Sequence, residues 1–235
     1  MTVMKKLVFA VVACVLAMLP TACIGGSKYE VQGDCVVYRY WTFSFGWRTD
    51  TLPGADVATF KQVNKWLGHD SERVYYEDKL VPGADVVSLE VVRKPLIRDK
   101  QDYYYKTTPM HVKDVSSFKI LKWFEDDFWA RDSQCAYFDT VRIDGVDLSS
   151  FKILEMSTAK DSNHVYYFGR VIPDADPATY EILGYSAYSR DKSHIWCGDD
   201  LLEDVDYATF TVDDVSTAHD KYGSFRWEKR DTIAE

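Results

Sequence analysis

The residues of this 235-residue chain best suited to chemistry are its 5 histidines and a regular series of aspartates. His164 and His194 each follow an aspartate by three residues, Asp161 and Asp191. Imidazole and carboxylate donors at equivalent places in successive segments are what a divalent-metal site requires. The same pattern suits solvated turns, and that is the expectation: no metal and no cofactor. His69, His111 and His219 add no His-x-x-x-His, and the chain has no Cys-x-x-Cys, Gly-x-Ser-x-Gly or phosphate loop. A calcium loop needs several carboxylates close together, not one in every 30 or so residues. The run Glu125-Asp126-Asp127 and the pair Asp199-Asp200 read as solvated loops, so no catalytic residue is assigned.

The aspartates are punctuation in a repeat. A first series, Asp56, Asp85, Asp114, Asp147, Asp176 and Asp206, is spaced by 29, 29, 33, 29 and 30 residues. Four residues after each come Phe60, Leu89, Phe118, Phe151, Tyr180 and Phe210. A second series, Asp70, Asp99, Asp132, Asp161, Asp191 and Asp220, is followed five residues on by Tyr75, Tyr104, Tyr137, Tyr166, Trp196 and Phe225. Two registers in step over six copies imply units that bury their apolar faces only by stacking. Both aromatic series are expected as buried ladders, and both aspartate series as turn closures.

Within a unit, Asp174-Ala175-Asp176-Pro177 reads as a one-turn cap, Tyr180 to Leu183 alternates as a strand, and Ile195-Trp196-Cys197 forms a hairpin with Leu201-Leu202. The fold class expected is all-β: six repeats of two to three short antiparallel strands with one capped turn, an open elongated sheet favoured over a closed propeller.

Asp161-Ser162-Asn163-His164-Val165-Tyr166-Tyr167-Phe168-Gly169-Arg170 and Asp191-Lys192-Ser193-His194-Ile195-Trp196 resemble the bacterial DKNYY repeat family. The likeness runs from Leu52 to about Arg230; the third unit keeps only Asp132 and its aromatics. It implies an all-β repeat module often found in envelope proteins, and it carries over no catalytic residue.

At the N-terminus, Lys5 and Lys6 precede an apolar run from Leu7 to Leu19, too short to span a bilayer, ending in Pro20-Thr21-Ala22-Cys23. This is an export signal. Its end resembles a bacterial lipobox, with Pro20 where Leu is usual, and implies acylation of Cys23 and a membrane partner through that lipid anchor. Ordinary cleavage nearby with release is the alternative. Ile24 is not the Asp that favours inner-membrane retention, which points to the outer membrane. The expected organisation is a signal at 1–22, a tether at 23–29, a β cap at 30–50 and the repeats at 51–235. Loss of the signal moves the formal charge from −9 to −11, which argues against nucleic acid and against anionic lipid headgroups as partners.

Three features fall outside the repeat. In Cys35 to Trp47, Trp41, Phe43, Phe45 and Trp47 alternate onto one face of a strand, as a cap over the first repeat or as an exposed platform for a glycan or protein partner. The segment Trp123 to Trp129 accounts for the irregular spacing and is expected as a loop, with Trp123 and Trp129 as further binding candidates. Cys35, Cys135 and Cys197 allow at most one internal disulfide, or stand as three apolar thiols. The function expected is non-catalytic binding or structural support in the envelope. A toxin inhibitor of the immunity type is the alternative, and an enzyme acting on envelope polymer ranks lowest.

Overall fold

The computed structural model describes residues 26–231 except Tyr185 and divides into two compact units, 1–82 and 83–235. The expected export signal and Cys23 lie outside the described residues. In the first unit, β1 (Lys28–Gln32), β2 (Cys35–Thr42) and β3 (Gly46–Thr51) form a three-stranded antiparallel meander. The first repeat follows as a four-stranded meander of β4 (Lys61–Gln62), β5 (Leu67–His69), β6 (Val74–Tyr76) and β7 (Lys79–Val81). The second unit holds five more four-stranded meanders, at 90–109, 119–143, 152–171, 181–201 and 211–230, and a single 3-10 turn at Val86–Ser88.

The all-β repeat class is therefore as expected, with four strands in each repeat. The strands pair within seven separate sheets and do not run together into one continuous sheet. Many outer strands, such as Lys152–Ile153 and Arg170–Val171, are only two residues long. A strand that short carries a single period of alternation. It is not stable by its own ladder, so something else must hold each meander closed.

That something is the second-series aspartate. All six are buried, at 0–5 % exposure. In the fourth repeat, Asp161 Oδ1 accepts the N–H groups of Asn163 and His164, both at 2.7 Å, which closes the turn between the second and third strands. Its Oδ2 accepts the Asp147 N–H at 2.8 Å and the Tyr166 hydroxyl at 2.7 Å. Asp147 in turn takes the Ser149 N–H on Oδ1 and the Ser150 hydroxyl on Oδ2, and Ser150 Oγ accepts the N–H of Ser162. A circuit thus joins both turns of the repeat. The bond between the two aspartates recurs in every unit: Asp56 to Asp70, Asp85 to Asp99, Asp114 to Asp132, Asp176 to Asp191 and Asp206 to Asp220, at 2.6–3.1 Å. Burial alone would raise the Asp161 carboxyl, but the Tyr166 hydroxyl and the backbone donors outweigh it and hold it below the ordinary range.

Between sheets the aromatics interlock. Tyr75, Tyr104, Tyr137, Tyr166, Trp196 and Phe225 are all buried, as the repeat predicts. Of the other series, Phe118 and Tyr180 are buried, whereas Phe60, Leu89, Phe151 and Phe210 are only half-buried. Five of the six lie against the residue two places before the buried aspartate. A Cβ on Gly68 would stand 2.5 Å from the Phe60 ring, Ala130, Ala159 and Ala218 share clusters with Phe118, Phe151 and Phe210, and Ser189 accepts the Tyr180 hydroxyl at 2.7 Å.

The segment 119–131 is a strand hairpin, Lys119–Phe124 against Asp127–Arg131, and not the loop its composition predicts. The extra residues lengthen two strands that are shorter elsewhere, so the separation of the two aspartates grows from 14 to 18 without opening the circuit.

The circuit makes a graded prediction for urea unfolding. Tyr166→Phe removes one hydrogen bond and is expected to cost about 1 kcal/mol, whereas Asp161→Ala strands four donors and is expected to cost about 3 kcal/mol or more. Equal losses would show that the carboxylate is not the organising acceptor.

Candidate functional site

The repeat residues are spoken for. His164 and His194 sit beside their own aspartates, with Nδ1 4.0 Å from Asp161 and 3.5 Å from Asp191. Among the described residues no three His, Cys, Asp or Glu side chains converge as metal ligands. Cys35, Cys135 and Cys197 are all free thiols, and burial pushes Cys135 and Cys197 up to about 11.

Asp139 is perturbed the other way from the circuit. Asp139, in the turn after the third strand of its sheet, accepts the Phe128 N–H at 2.9 Å. Burial, and then the neighbouring Asp127 charge, raise its carboxyl to about 7 against that hydrogen bond. Asp127 is the last member of the acidic run expected as a solvated loop; it begins the second strand of that sheet instead.

The site candidates in the N-terminal sheet have a different geometry from the one predicted. Trp41, Phe43, Phe45 and Trp47 do not share a face of one strand, because the chain reverses between them. Trp41 on β2 pairs with Trp47 on β3, and Thr42 pairs with Gly46. Gly46 takes φ 67° to make the turn, and the Thr42 hydroxyl accepts the Phe45 N–H at 3.2 Å and donates to the Gly46 carbonyl. A segment with period-two aromatics is equally a hairpin whose turn falls at its centre, and Gly46 was the signal for it.

The other face of β2 explains why the hairpin stands where it does. Val36 and Tyr38, with Tyr29 of β1, are buried against Leu52 and Tyr75, so this sheet covers the first repeat as a cap. The four tip aromatics take no part in that cluster. Phe43 is 96 % exposed and Phe45 76 %, while Trp41 and Trp47 are half exposed at 49 % and 42 %. A basic fringe that the sequence reading passed over surrounds them. The Arg39 guanidinium lies 4.5 Å over the Trp47 ring and that of Arg48 lies 5.5 Å from the Phe45 ring. The arginines near the two tryptophans, Arg39-x-Trp41 and Trp47-Arg48, are the pattern that could have disclosed them.

The insertion candidates separate. Trp129 is fully buried, with its Nε1 donating to the Met156 carbonyl at 2.8 Å and its ring against Phe138 and Phe151. It occupies the strand place of Thr158 in the next repeat and belongs to the core, which removes it from the binding candidates. Trp123 is half-buried between Phe128 and the Arg93 guanidinium, 4.7 Å away on each side.

Asp139 supplies a pH-dependent prediction. A carboxyl raised in the folded state favours folding below its unfolded value near 4 and costs stability as pH rises through about 7. Asp139→Asn keeps an acceptor for Phe128 and removes the repulsion. It is expected to raise the urea midpoint at pH 8 and to change it little at pH 5. The same change at both pH values would contradict the assignment.

No curated protein and no solved structure matches the chain. The model of the DKNYY family matches residues 26–108 and 103–229, so that its repeat signature extends over the N-terminal sheet as well as the six aspartate circuits. The chain belongs to the DKNYY family.

Proposed function

We propose that this chain is an exported lipoprotein of the bacterial cell envelope, acylated at Cys23, with a structural or binding role and no reaction of its own. The observation that carries the non-catalytic reading is the commitment of the repeated carboxylates. Each of the six accepts two or more donors in the closure of its own repeat. Tyrosines beside them are pushed upward by burial, Tyr75 to about 12, and stay neutral hydrogen-bond donors. Lys5, Lys6 and the apolar run Leu7 to Leu19 support export, and Ala22-Cys23 supports acylation at the first mature residue. Ile24 favours the outer membrane as the destination.

Metabolic labelling with a radioactive fatty acid tests the anchor. The wild-type chain is expected to take up label and to partition with membranes. Cys23→Ala is expected to take up none and to appear in the soluble fraction. Unchanged labelling of that variant would refute lipidation at this residue.

A further inference from the structure

We propose that the β2–β3 hairpin tip is a second membrane contact, inserting Phe43 and Phe45 into the lipid interface of the bilayer that holds the Cys23 anchor. The idea rests on the anchored reading above and adds a docking surface to it.

The first argument is where the chain joins the sheet. β1 pairs antiparallel with β2, Lys28 opposite Arg39 and Gln32 opposite Cys35. The connection between β1 and β2 is therefore at one end of the sheet, and Lys28 lies toward the other, the end that carries the Thr42–Gly46 turn. From Arg39 to Thr42 is three residues, about 10 Å of strand. From Lys28 back to Cys23 is five residues, a contour of at most about 17 Å. An acyl group on Cys23 and the rings of the tip can thus reach one plane without disturbing the sheet. Gly26, Ser27 and Lys28 line the same shallow hollow as Arg39, Trp47 and Lys65, which fixes this side of the sheet as the one that receives the chain.

The second argument is the order of side chains along the hairpin. Phe43 and Phe45 stand at the apex, Trp41 and Trp47 behind them, and Arg39, Arg48 and Lys28 behind or beside the tryptophans. Apolar rings outermost, then amphipathic indoles, then cations is the depth profile of a lipid surface: acyl chains, carbonyl and headgroup belt, phosphates. The acids of the sheet are placed otherwise. Asp34 lies in the connection at the far end, Asp50 accepts the Tyr40 hydroxyl at 2.7 Å, and Glu30 neutralises part of the fringe, 2.9 Å from Lys28 and 3.5 Å from Arg39.

The third argument counts against a sugar platform. Stacking on a pyranose needs an open, flat aromatic face. Trp41 and Phe43 meet edge to face, at an interplanar angle of 73°, and one face of Trp47 is covered by Arg39. Rings crossed in this way present edges and volume, which suits a disordered apolar phase.

The test uses the full chain and vesicles of phosphatidylethanolamine and phosphatidylglycerol, with and without bromine on the acyl chains, which quenches tryptophan on contact. The acylated protein reconstituted in brominated vesicles is expected to lose part of its fluorescence. A Trp41→Phe/Trp47→Phe variant, whose remaining tryptophans belong to other elements, is expected to show none of that quenching. Equal quenching in the two would overturn the proposal. Cys23→Ala chain added to preformed vesicles reads the tip without the lipid. It is expected to bind weakly, and Phe43→Ser/Phe45→Ser in that background is expected to bind about tenfold more weakly still. Indifference of binding to the serine pair would overturn the tip even if acylation holds. Failure of fatty-acid labelling with tip-dependent binding retained would overturn the anchor alone. A fluorescence change with soluble envelope glycan fragments, and no bromine quenching, would replace the lipid by a sugar ligand and overturn the proposal.

Discussion

A carboxylate removed from water and surrounded by four donors is the interaction on which the rest of this chain depends. Two-residue strands form a marginal ladder, and a four-stranded sheet built from them in about 30 residues would fray if its turns were free. Asp161 and its equivalents tie the turn between the second and third strands to the turn that precedes the first, so the centre of each meander is fixed relative to its start. Desolvation of the carboxylate is the cost, and the donors offset it, which is why the group sits below its ordinary pKa although it is buried. Stability from this source is complete above the unfolded carboxylate value and is withdrawn as acid protonates the circuit.

The circuit tolerates substitution around a fixed centre. Tyr75, Tyr104, Tyr137 and Tyr166 supply a hydroxyl to the carboxylate, but Phe225 has none, and in that repeat Arg230 closes on Asp220 with two bonds of 2.8 and 2.7 Å. The terminal repeat has traded a neutral donor for a charged, bidentate one. On the first aspartate the exchange is between Ser and Lys. Ser133 and Ser162 donate to Asp114 and Asp147, whereas Lys100, Lys192 and Lys221 form ion pairs at 2.6–2.9 Å with Asp85, Asp176 and Asp206. Those lysines are about half or more exposed and contribute little stability by themselves. What does not vary is the pair of carboxylates and the N–H that joins them.

Much of this was legible in the letters. The two aspartate registers and the buried aromatic five residues after the second came directly from spacing, because a hydrogen bond that recurs in every copy demands the same residue at the same place. The rest was not, for identifiable reasons. Lys152–Ile153 is too short to show a period, so two to three strands were expected in a repeat that has four, although Tyr180 to Leu183 and Leu201-Leu202 did mark the outer strands of the fifth repeat. Trp129 was grouped with an acidic run that reads as loop, although its alignment with Thr158 placed it in a core strand. The need for Gly68 under Phe60 is a volume signal, visible only once the two positions are known to oppose each other. At the tip, period-two aromatics announced a strand equally well whether or not the chain turned back at Gly46.

The charge of the molecule bears on how such a tip would meet a membrane. With the signal removed, a formal charge of −11 repels an anionic surface as a whole. Repulsion of that kind is screened over about 8–10 Å at physiological ionic strength, a distance comparable to the three-residue reach of the hairpin beyond Arg39. Arg39, Arg48 and Lys28 lie within that distance of the tip, whereas Asp34 stands in the connection at the opposite end of the sheet. Net charge therefore opposes contact through acidic surface and leaves the basic, aromatic hairpin tip as the contact. The same electrostatics that keep an acidic chain from binding without an anchor select that hairpin once the anchor is in place.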